Sequence, residues 1–60
     1  MTQILDVREP VWIPESREWK LDYVVADIID GKNVKYIQTV RCETLLSATK
    51  MALMIKEKIK

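Results

Sequence analysis

Residues 19–60 form one uninterrupted run of structure signals, and that run contains the only glycine in the chain. Trp, Tyr, Val and Ile crowd residues 19–29, as on a pleated, half-buried surface. Asp30-Gly31-Lys32-Asn33 reads as a turn, with Gly31 where a positive φ is needed. Residues 34–42 read as the returning strand. Thr44 stands in the helix N-cap position immediately before Leu45, and the helix then runs to about Lys58 without Gly or Pro. A long hairpin running straight into a helix is the frame for everything else.

The hairpin register follows if Ile29 pairs with Val34 across a four-residue loop. Asp22 then faces Arg41, and Lys20 faces Glu43, two opposite-charge pairs worth roughly 0.2–1 kcal/mol each. One sheet face carries Trp19, Leu21, Tyr23, Val25 and Ile29 opposite Val34, Tyr36, Val40 and Cys42. The other carries Lys20, Asp22, Val24, Ala26 and Ile28 opposite Lys35, Ile37, Thr39 and Arg41, charged at one end and apolar in the middle. A one-residue slip would send Lys35 and Arg41 into the core. Leu45, Ala48, Met51, Ala52, Ile55 and Ile59 recur at helical spacing and should cover the aromatic face. Leu46 and Leu53, one heptad apart, flank that stripe.

Upstream, Ile4-Leu5, Val7 and Val11-Trp12-Ile13 are strand-like, but Pro10 and Pro14 remove backbone donors. Proline is confined to sheet edges and bulges, so residues 1–16 read as a broken edge strand. The fold expected is α+β: a three-stranded antiparallel sheet, built from that edge strand and the hairpin, followed by one amphipathic helix on one face. Residues 1–60 make a single domain.

Sixty residues allow one small core, and chains this short often need a disulfide, a metal or a partner. Cys42 is the only cysteine and there is no histidine. An intrachain disulfide is therefore impossible and a four-ligand zinc site is unsupported. No metal and no cofactor are expected, and oligomerisation is the remaining support. Without histidine, the commonest general base and its Ser or Cys pairings are missing. One glycine cannot make a phosphate-binding loop. Asp27 and Asp30 supply too few hard ligands for calcium and read as turn formers. Cys42 reads as a small apolar residue, although a thiol near a helix N-terminus is an activatable one. The chain is not expected to be an enzyme, and no catalytic residue is assigned.

The formal charge is +1, without the basic excess of a typical nucleic-acid binder. Residues 44–60 nevertheless carry Lys50, Lys56, Lys58 and Lys60 against Glu57, which complements the dipole at the end of a helix. No apolar run is long enough for a membrane span, the N-terminus has no signal pattern, and the unpaired thiol suits a reducing compartment. A cytoplasmic protein is expected.

The stretch from Trp19 to Asp27, Asp30-Gly31-Lys32, and Gln38-Thr39 through Thr44, Ser47 and Ala48 resembles the three-stranded arm-site DNA-binding module of tyrosine recombinases. That resemblance implies a sheet face, the one away from the helix, laid on DNA, where this chain offers Lys20, Lys35, Thr39 and Arg41. Tyr23-Val24-Val25-Ala26 and the Thr44 to Ala48 helix start resemble the truncated β-β-β-α antitoxin domain of the HicB type, which implies an oligomer that neutralises a partner protein. Small glycine-poor domains are also frequent in phage and mobile elements, where many bind a host protein.

The leading expectation is a non-enzymatic protein-binding module, a homodimeric regulator or inhibitor, with Val24, Ala26, Ile28 and Ile37 as its partner surface and Leu46 and Leu53 as a second patch. A sheet face without a helix to cover it motivates this. The alternative is a nucleic-acid-binding module using Lys20, Lys35, Arg41, Lys56 and Lys60. No small-molecule substrate and no membrane partner are expected.

Overall fold

The computed structural model describes residues 2–59. The elements run β1 (Gln3–Val7), β2 (Val11–Ile13), β3 (Glu18–Ile29), β4 (Lys32–Cys42) and α1 (Leu45–Lys56). All strand pairings are antiparallel and all pass through β3: β4 lies along one side, while β1 and β2 share the other. The expected edge strand is thus two strands in line, so the sheet has four strands rather than three. A register shift between Ile4 and Asp6 marks a bulge at Leu5. The ladder continues one residue past β1, where the Arg8 amide donates to the Asp22 carbonyl at 2.9 Å. Pro10 has no N–H to offer, and pairing resumes at Val11.

The hairpin turn is tighter than the sequence suggested. Asp30 and Gly31 alone form the loop, with φ of 51° and 76°, and Ile29 pairs with Lys32. Positive φ at both central residues is the type I′ turn that suits the twist of paired strands, and Asp-Gly is among its preferred sequences. The register therefore moves by two residues. Lys20 faces Arg41 and Asp22 faces Thr39, in place of the Asp22–Arg41 and Lys20–Glu43 pairs. Thr39 Oγ1 donates to Asp22 Oδ1 at 2.8 Å, Lys20 Nζ lies 3.6 Å from Asp22, and Arg41 Nη1 lies 3.5 Å from Glu18. A two-residue shift leaves every side chain on its expected face.

The helix lies over β1, β3 and β4 and does not touch β2. Leu21, Val25, Ala48 and Ile55 are the buried apolar residues, and Met51, Ala52 and Ile59 are half-buried around them. Ile4 and Val7 join this layer, since they face Val25 and Tyr23. Two residues assigned to the core lie outside it: Leu45 is 47 % exposed and Ile29 49 %. Leu45 begins the helix just past the end of β4, and Ile29 ends β3 at the turn, so neither has a layer above it. Twelve helical residues span about 18 Å, whereas the molecule is 39 Å along its longest axis. Trp12 stacks on its cross-strand partner Trp19, with ring centroids 5.4 Å apart and a tilt of 55°, on the helix side of the sheet.

Thr44 caps the helix as expected. Its backbone is extended (φ −125°, ψ 153°), and Thr44 Oγ1 accepts from the Ser47 amide at 3.1 Å. Thr44→Ala should cost about 1 kcal/mol, read as a lower denaturation midpoint at unchanged m-value. An unchanged midpoint would show that the cap contributes nothing.

Candidate protein-binding surface

Alternation along β3 and β4 puts Val24, Ala26, Ile28 and Ile37 on the face opposite α1. Val24 pairs with Ile37 directly. Val24 and Ala26 are half-buried, while Ile28 is 59 % and Ile37 57 % exposed. The N-terminal segment extends the sheet edge and does not fold over this face. It adds two members that sequence reasoning missed: Val11 faces Lys20 and Ile13 faces Glu18, so both lie on the open side. Their signal was available, since a turn at residues 14–17 followed by simple alternation leads to that face. A three-residue strand between prolines shows no period of its own, so the alternation is legible only from β3.

Leu46 and Leu53 do not join this surface. They lie in the helical layer on the other side of the sheet, 66 % and 58 % exposed. Leu53 borders a groove of about 180 Å³ between the helix and the β1–β2 connection, with Val7, Pro10, Thr49 and Lys56. These two apolar surfaces are therefore separate.

The cations proposed for nucleic acid are also divided. Lys20, Lys35 and Arg41 share the open sheet face, whereas Lys56 stands in the last turn of the helix, on the other side. Lys60 lies outside the described residues. Lys20 and Arg41 are each engaged by a carboxylate, Asp22 and Glu18 respectively. Glu18 Oε2 is buried and without a hydrogen bond, so its ion pair with Arg41 is a charge contact only.

Near the hairpin tip, an open cleft of about 490 Å³ is lined by Thr2, Ile4, Ala26, Asp27, Ile28 and Lys58, among others. The Asp27 carboxyl is held below the ordinary aspartate range, chiefly because it accepts from the Ile28 amide at 2.8 Å. Partial burial opposes this, and the Thr2 hydroxyl at 3.2 Å adds to it. The Thr2 bond ties the residue before β1 to the last turn-ward part of β3, a structural use of that carboxylate. Cys42 is half-buried opposite Trp19. Among the described residues, no group of three or more His, Cys, Asp or Glu is placed to hold a metal ion. Among the same residues, no helix is long and apolar enough to cross a membrane.

No protein-family model matches this chain, and no curated protein or solved structure matches it either.

Proposed function

We propose that this chain is a small non-enzymatic protein-binding module, a homodimer that regulates or inhibits a partner protein. The observation that carries the reading is the uncovered apolar stripe of Val24, Ala26, Ile28 and Ile37, lengthened by Val11 and Ile13. Large exposed apolar patches on soluble chains mark interaction sites. Surface area supports it. The chain exposes 4866 Å², against about 4,100 Å² for a folded monomer of this size. The excess of roughly 800 Å² is what one partner loses in an interface of standard size. A radius of gyration of 12.8 Å, where a compact chain of this length has about 10.4 Å, has the same origin in a flat sheet covered on one side.

The test is Ile28→Lys together with Ile37→Lys. Both side chains are more than half exposed, so the fold should persist by circular dichroism. Mass in solution should fall to that of one chain, or capture of the partner should be lost. An unchanged mass and unchanged partner binding would remove the stripe from the interface.

Nucleic-acid binding has less support, because Lys20 and Arg41 are engaged in ion pairs and Lys56 stands on the opposite side. A salt-dependent mobility shift with mixed-sequence DNA would reverse that preference. The unpaired Cys42 suits a reducing compartment, and we place the protein in the cytoplasm.

A further inference from the structure

The two edges of the sheet are built differently. On the β1–β2 side, the bulge at Leu5 and the break at Glu9 and Pro10 interrupt the edge. Such interruptions keep edges from pairing with other chains. On the other side, β4 is continuous from Lys32 to Cys42, with no proline, glycine or bulge in its pairing with β3. Its free groups can be assigned. The Asp22 carbonyl points to the β1 side, where it accepts from Arg8. Even-numbered residues of β3 therefore bond towards β1 and β2, and odd-numbered ones towards β4. Across the hairpin, the even-numbered residues of β4 answer them. This leaves Asn33, Lys35, Ile37, Thr39 and Arg41 with backbone groups directed away from the sheet.

We propose that a second copy of this chain pairs its β4 with this edge, antiparallel, about a two-fold axis at Ile37. This deepens the homodimer reading and rests on it. Ile37 is the midpoint of β4, so an axis there uses the strand's full length. It sets Ile37 against Ile37 of the second copy, Val34 against Val40, Tyr36 against Gln38, Lys35 against Thr39 and Asn33 against Arg41. No two charges of like sign stand directly opposite. A register two residues away sets Lys35 directly against Arg41, and one two residues the other way carries Arg41 past the end of the paired strand. A two-fold axis is the common symmetry of a self-complementary contact. It also joins the open faces. Val24 pairs with Ile37 within each chain, so an apolar row crosses the joined sheet from one Val24 to the other. The surface offered to a regulated partner is then a single face, on the side away from both helices.

Cysteine cross-linking in a Cys42→Ser background, with diamide as oxidant, tests this placement. Opposed Cα atoms in a hydrogen-bonded antiparallel pair are about 5.5 Å apart, within disulfide reach. Ile37→Cys should give a covalent dimer in high yield, and Gln38→Cys and Ile28→Cys should not. Lys35→Pro removes an outward amide without touching the apolar stripe. It should reduce the mass in sedimentation from two chains to one while the circular dichroism spectrum is kept. Efficient cross-linking through Ile28→Cys and none through Ile37→Cys would overturn edge pairing and place the second copy on the open face, leaving the protein-binding reading intact. A wild type that stays monomeric at high micromolar concentration would overturn edge pairing and the homodimer reading together.

Discussion

Ala48→Glu should abolish the fold. Ala48 is fully buried where α1 meets the sheet, beside Leu21 and Val25 in the small core. Lengthening that side chain would lift the helix, and its carboxylate would find no partner among the apolar residues there. An unpaired buried charge costs several kcal/mol. A domain of this length has only about 3–9 kcal/mol in total. Far-UV circular dichroism should lose its sheet and helix signals at 25 °C. Ala52→Glu is the matching control. Ala52 is half-buried at the rim of the groove with Arg8 and Lys56, so its carboxylate would reach water and two cations. That variant should stay folded. A folded Ala48→Glu beside an unfolded Ala52→Glu would mean that the helix is rotated from its described position.

Leu21→Ala should be the most costly truncation in the sheet, at about 2–5 kcal/mol. Leu21 is 0 % exposed in the central strand, and with Val25 it is one of the two largest fully buried side chains. Few neighbours could collapse into the space, because β3 is held on both sides. Denaturant titration should show the midpoint falling by half or more, or no cooperative transition at all. Ile28→Ala, near the turn end of the same strand and on the open face, should change the stability by roughly 0.5 kcal/mol or less when the protein is dilute. Equal losses at both positions would mean that the open face is as well packed as the covered one.

Residue type alone revealed the order of elements. The β-branched and aromatic density of β3 and β4, the prolines of the edge segment and Thr44 before an unbroken helical stripe each led to the structure found. The expected hairpin register rests on a four-residue loop with two weak charge pairs in its favour, and turn stereochemistry overrides both. Asp30-Gly31 satisfies a two-residue turn completely, and no surface ion pair competes with that. The error moved register by two, an even number, so the candidate surface was still legible. Leu45 was misplaced because helical periodicity says which side a residue is on, not whether a strand lies beneath it. The stripe does not specify an occupant, since Val, Ala and Ile are the same message for any apolar surface.

Because every strand pairing passes through β3, that one strand records the protection of both edges in alternate residues. The Val24 amide lies on the side of the bulged, interrupted edge, while those of Leu21 and Val25 lie on the side of the tight hairpin. Deuterium exchange should therefore alternate along β3. The amides facing β1 and β2 should exchange through local opening, and those facing β4 only when the whole chain unfolds. Neighbouring amides in one strand would differ in lifetime because they answer to different opening events, and uniform rates along β3 would mean that the two edges open as one.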